Sequence, residues 1–342
     1  MTVLLANEHL DGTPAERHRL HALLRGLRTG AAPAPLPGIT FQTLTHLLAA
    51  RPATVDLDLF RSGYELLSTR YAEIGIRALL PPQRVWVGVR STAAAGSAQS
   101  FGGFHHPGQG YRHLQMNAAI TLFGNLSGHT TPPTPQAVAL DLLRAYAHDC
   151  LHFGTYRRYR LGPRGEPARV QYGINFRRLD GTTYSLPDPP DARRTRNLGI
   201  VMEGATDIEA TTIARHTADL HGLTEPPDST HLTKYAFADV TGRLSTDDIS
   251  TARRTANPYL RSLSGFARSV TSRYRALLDD LTETPHELHH LLITAMISGD
   301  LGDLNAWLDA RHGPGSSPDD SVHPSSPTSI CGQLPDLDQN AP

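Results

Sequence analysis

Apolar residues recur along this chain in two rhythms, one helical and one alternating. The helical rhythm comes first. "PAERHRLHALLRGL" opens at Pro14 behind Thr13, a pair suited to a cap and a first turn. "DLDLFRSGYELLSTRYAEIGIRALL" carries the same spacing up to Pro81-Pro82, which should end it. Residues 1–80 are therefore expected to be mostly helical. Alternation then takes over. "RVWVGVR" at 84–90 predicts a strand. Leu114, Met116, Ala118, Ile120 and Leu122 alternate with Gln115, Asn117 and Thr121, which predicts a strand with one buried face.

"TPPTPQAVALDLLRAYAHDCLHFGTYRRYRLGPRG" has apolar residues around most of its circumference, as a centrally buried helix would. Thr134 and Pro135 should start it and Gly162-Pro163 should stop it. "ARVQYGINFRRLDGTTYSL" reads as two strands joined at Asp180-Gly181. "NLGIVMEGATDIEATTIARHTADLHG" reads as a helix between an Asn197 cap and Gly222. "NPYLRSLSGFARSVTSRYRALLDDL" and "PHELHHLLITAMISGDLGDLNAWLDARHG" are further helices. Strands segregated from helices in this way predict an α+β fold rather than a doubly wound parallel sheet. The expected organisation is a helical N-terminal region at 1–80, a central domain at 81–312 and a disordered Pro/Ser/Gly/Asp-rich tail at 313–342. Within the central domain, a sheet and a key helix occupy 81–165, a hairpin 168–187, and helices 197–312.

Composition narrows the function classes. The formal net charge of −1 gives no bulk attraction to nucleic acid or to a membrane surface. No apolar run approaches the roughly 18 residues of a membrane span. The N-terminus lacks the basic head and apolar middle of a signal peptide. Two cysteines, Cys150 and Cys331, make no disulfide framework. The expected location is cytoplasmic. Lys234 is the only lysine among 32 basic residues, and no function is drawn from that bias.

The chemistry concentrates in "HDCLH". Residues four apart on a helix lie within about 40° of one another, so the imidazoles of His148 and His152 can reach one ion. Zinc takes nitrogen at roughly 2.0–2.1 Å and prefers four tetrahedral ligands, so further ligands must come from elsewhere. Histidines at this spacing also arise by chance; "PHELHH", with His286, Glu287, His289 and His290, is assigned to a solvated helix face. A second segment, "MEGATD", sets Glu203 and Asp207 on one face of another helix. Glu203 suits a third ligand. Asp207 suits the second shell, holding the free N–H of a ligand histidine. Gly204 and Ala205 would let helices approach closely there. Alone, this acidic segment reads as an ordinary helix start. Cys150 is turned away from the histidine face and reads as core.

Together "HDCLH" and "EGATD" resemble the gluzincin branch of the zincin metallopeptidases, which carries HExxH on one helix and Glu followed four residues later by Asp on another. The resemblance covers roughly residues 84–222. It implies a zincin-like sheet packed on a metal-binding helix, Zn²⁺ as cofactor, and His148, His152 and Glu203 as its ligands. It also implies that Asp207 orients a ligand histidine, His148 in the first instance, and that the substrate is a peptide or protein. The chain departs from the family where Asp149 stands in place of the general-base glutamate. A base must come within roughly 2.6–3.2 Å of the proton it takes, directly or through one water, and aspartate is one methylene shorter. The strand at 114–122 is the place where a substrate could add as an extra strand. His216, His231, Tyr235 and Tyr259 are of the right type to steady a developing oxyanion.

Two other functions fit parts of the pattern. "HDCLHFGT" is superficially similar to the HDxxHxG of metal-dependent phosphohydrolases, with Asp300 as a distant ligand, but those proteins are all helical. A zincin-like scaffold that binds or regulates without cleaving also accommodates Asp149.

Overall fold

The computed structural model describes residues 7–27, 39–50, 55–90, 135–225, 231–255, 261 and 264–313. They form an α+β chain, mostly helical with a small mixed sheet. Two compact units emerge. One comprises Met1–Arg25, Thr155–Ala205 and Ser269–Pro342; the other comprises Gly26–Gly154 and Thr206–Arg268. Among the described residues no helix is long and apolar enough to cross a membrane.

The first unit holds β1 (Glu8–Leu10), α1 (Pro14–Leu27, whose last residues pass into the second unit), β4 (Arg157–Leu161), β5 (Pro167–Tyr172) and β6 (Asn175–Phe176). These strands form a sheet in the order β1-β4-β5-β6, with β1 parallel to β4 and the other pairs antiparallel. Thr13 caps α1 reciprocally: its N–H donates to Glu16 Oε2 at 2.7 Å, and its hydroxyl oxygen accepts from the Glu16 N–H at 3.4 Å. Three C-terminal helices, α8 (Ser272–Leu281), α9 (Pro285–Ser298) and α10 (Gly302–His312), complete this unit. Gln171 ties the sheet to the end of α9, donating to the Gly299 carbonyl at 2.9 Å.

The second unit holds a two-stranded antiparallel sheet, β2 (Ile39–Thr43) with β3 (Trp86–Arg90), and helices α2 (Leu44–Ala50), α3 (Leu57–Glu73), α4 (Pro135–Gly154), α6 (His231–Val240) and α7 (Thr246–Arg254). The helix α5 (Leu198–Leu220) enters it from Thr206 onward. Asn197 starts α5 as the sequence suggests, its side-chain oxygen accepting from the N–H groups of Gly199 and Ile200 at 2.9 and 3.2 Å. Gly63 on α3 leaves room for Leu143 of α4 and Thr217 of α5, so three helices meet closely. Arg70 of α3 grips Glu209 of α5 through two hydrogen bonds of 2.9 and 3.2 Å. Tyr71 reaches the Ala147 carbonyl at 2.9 Å.

Several element ends differ from the sequence expectation. The third helix stops at Glu73 rather than at the prolines, because Gly75 turns left-handed at φ +93°. Ile74, Ile76 and Leu80 are buried beyond it in non-helical chain, which is why the apolar run misled. The helix α4 ends at Gly154, not at Gly162-Pro163. A Cβ on Gly154 would meet Ile76 side-chain atoms at 2.8 Å, and "RRYRL" continues as strand β4 instead. Gly162-Pro163 begins the β4–β5 turn, closed by Gly162 N–H to the Glu166 carbonyl at 2.7 Å. Asp180-Gly181 does make a turn, but it closes only a single bridge, Arg177 with Thr183. Strand β5 turns into β6 at Gly173, φ +54°. The last expected helix is two, parted at Gly299, φ +72°. The N-terminal region also contains β1 and β2, which its helical spacing hid. The strand expected at 114–122 and the tail beyond residue 313 lie outside the described residues.

Candidate metal centre

Helix α4 is buried on nearly all sides. From Ala137 to Gly154 only Arg144 and His148 are not fully buried, and they lie one turn apart. His152, one turn further, is 4% exposed. One stripe of α4 therefore carries Arg144, His148 and His152, while the rest of the helix is locked into apolar surroundings. That packing fixes the direction of the two imidazoles. Their Nε2 atoms are 3.1 Å apart.

Glu203 lies on α5, one turn before Asp207. One ligand atom from each of His148, His152 and Glu203 falls within 4.8 Å of the others. Two nitrogens on one tetrahedral zinc stand roughly 3.3 Å apart. The imidazole pair is already close to that separation. Two neutral imidazoles and a carboxylate form a donor set that suits zinc and leaves one position for water. The same 3.1 Å also fits an imidazole–imidazole hydrogen bond when no ion is held.

Asp149, next to His148, is 6% exposed. Among the described residues, neither it nor Asp300 belongs to the three-residue group. Cys150 is fully buried, and burial pushes its thiol well above its usual range, which suits a core residue rather than a ligand. Asp207 forms an ion pair of 3.7 Å with Arg144, whose other amino group is 3.2 Å from Asp239 of α6. Of the oxyanion candidates, His216 is exposed and Tyr235 is buried on α6; Tyr259 and the His231 side chain lie outside the described residues.

Sequence reasoning missed Arg144, although its position four residues before His148 was the available signal. It also missed Asp239. Burial lifts that carboxyl to about 6, Arg144 pulls it down in part, and Asp207 pushes it up. Gly204, read as a point of close helix approach, admits the side chain of Tyr274 from α8. The Tyr274 hydroxyl is 2.8 Å from His289 Nδ1. Tyr172 of β5 lies near enough for the Glu203 charge to act on it; burial is the main cause lifting its phenol to about 12, against the pull of Arg157 and Arg169.

No protein-family model, curated protein or solved structure matches this chain.

Proposed function

We propose that the protein is a zinc-dependent hydrolase with a zincin-like centre, and that its substrates are peptides or proteins. One observation carries the reading: ligand atoms of His148, His152 and Glu203 come within 4.8 Å of one another on two buried helices. Zinc held there would supply Lewis acidity and lower the pKa of a water in its open position to about 7. The chain's residues divide the remaining work. His148 and His152 are oriented by the burial of α4 on both sides of their stripe. Asp149, adjoining His148, takes the proton of the attacking water and hands it to the leaving amine. Arg144 pairs with Asp207, one turn beyond Glu203 on α5.

The test is elemental analysis of purified protein. Wild type should carry one zinc per chain, and His152→Ala should carry almost none. Absence of zinc from wild-type protein purified and reconstituted with excess Zn²⁺ would end the proposal. A probe of open coordination then separates catalysis from a structural ion, since a closed four-ligand site admits no exchangeable water. Asp149→Asn should bind zinc normally and lose turnover; unchanged turnover of an identified peptide would remove Asp149 as the base.

A further inference from the structure

One face of the four-stranded sheet gathers guanidinium groups. Arg157 pairs with Tyr172, and Tyr159 with Arg169, across β4 and β5. Tyr172 and Arg169 are three apart, so a regular strand would point them to opposite faces. The register shift between Arg158 and Tyr159 lets one residue of β5 go unpaired and returns both to one face. The result is a single ring, Tyr172, with Arg169 at 4.5 Å and Arg157 at 5.3 Å from its centroid. All three side chains are more than nine-tenths buried.

Arg169 is the anomaly. Among the described residues its Nε and Nη1 have no hydrogen-bond partner. Burial is the main cause lowering it to about 10, and the charges that act on it most are phenols and other guanidiniums, Tyr159, Arg177, Tyr172 and Arg157. No carboxylate is among them. Guanidinium carries five donors, and an aromatic face supplies none of the acceptors they need. A buried cation in this condition is costly unless an anion joins it.

The anion's location follows from the neighbourhood. A Cβ on Gly173, beside Tyr172, would meet Met202 Cε at 2.8 Å, and Met202 immediately precedes Glu203. Gly173 therefore packs against the turn of α5 that bears the proposed third metal ligand, and the Glu203 charge reaches the neighbouring Tyr172. The geometry points to a carboxylate-binding subsite at Arg169, flanked by Arg157 and Tyr172, that holds an anionic end or side chain of the substrate beside the metal centre. That it serves substrate rests on the proposed hydrolase function; that it binds a carboxylate does not. A planar carboxylate suits a guanidinium, whose N–H donors lie in one plane.

The test uses full-length protein treated with chelator, so that no metal contributes. Succinate is titrated against its uncharged diamide, succinamide, at constant ionic strength, with thermal shift and calorimetry as readouts. Succinate should bind saturably and succinamide should not. Arg169→Met should weaken succinate by about tenfold or more, while His152→Ala should leave it unchanged. Arg169→Lys keeps the charge and serves where the methionine variant folds poorly; it should bind more weakly than wild type. Equal effects of succinate and succinamide on wild type, or equal succinate affinity in wild type and a folded Arg169 variant, overturn the subsite. Blocked peptides then separate the two sources of carboxylate. A peptide with a free C-terminus should compete and its amide should not if the terminus is recognised; an internal Asp or Glu should compete in both forms if a side chain is. Competition by neither class overturns the substrate role. Zinc binding without succinate binding leaves the metal proposal standing and removes this one; the reverse result does the opposite.

Discussion

The chain spells the same histidine spacing twice, and the two copies have opposite fates. His286-Glu287-x-x-His290 matches the HExxH consensus in full, with glutamate after the first histidine. Its members are exposed on the first turns of α9, and Glu287 is engaged by Thr284 at 3.0 Å and Arg311 at 2.8 Å. His148-Asp149-x-x-His152 departs from the consensus, yet its helix is buried and a carboxylate from α5 meets it. Among the described residues, only the second pair has a third ligand within reach. A ligand motif is a local pattern, whereas a metal site needs convergence from a second element. Burial contributes too, because it restricts rotamers and limits competition from bulk water.

The sharpest way to break this contrast is to exchange the carboxylates. Glu203→Gln should reduce zinc affinity by more than about 100-fold, since losing a direct ligand should exceed the 10–100-fold typical of an outer partner. Glu287→Gln should leave zinc content unchanged, and so should the double variant His286→Ala/His290→Ala; competition with a chromogenic chelator measures all three. A zinc loss in the α9 variants would mean that the exposed pair is the site.

The ion pairs of the two regions should differ next. Arg144, 16% exposed, stands between Asp207 and Asp239, and Arg144→Met leaves two poorly solvated carboxylates facing each other. The loss should be about 3 kcal/mol in urea unfolding. Arg311→Met, which frees the exposed Glu287, should shift the midpoint little. Packing comes third. Gly204→Ala would press a methyl against buried Tyr274 and should cost about 1–3 kcal/mol, with any added effect on zinc revealing how rigidly Glu203 is held.

The smallest effect is in the pH profile. Burial lifts the Asp239 carboxyl to about 6 in the folded chain, above the ordinary aspartate value of about 3.9. The folded state therefore binds the proton more tightly than the unfolded state. Its contribution to stability is complete below about pH 4 and is lost as pH rises through about 6. Asp239→Asn should flatten that part of the stability curve; an identical slope in the variant would show that other groups produce it.

How much of this was legible in the sequence depended on range. The α5 cap at Asn197 and the α1 cap at Thr13 are local hydrogen bonds between neighbours, so residue types alone announced them. The ends of α3 and α4 were misread because they are set at distance. Gly75 and Gly154 stop those helices through a left-handed turn and through Ile76, whereas the prolines and the Gly-Pro pair lay further along and looked stronger. Glu203 was legible as a candidate because glutamate and aspartate four apart share a helix face. Arg144 was equally available by spacing but had no motif to mark it.

The sequence by itself determined which residues share a helix face, where two caps form and which segments bury apolar surface, because those follow from a fixed period and from neighbours in the chain. Only the tertiary structure decided which of two equally spaced histidine pairs meets a distant carboxylate, and that the Nε and Nη1 of Arg169 are buried without a hydrogen-bond acceptor. A helix's period dictates what lies along its own stripe; what stands opposite depends on how separate elements pack, and residues far apart in the chain specify that jointly.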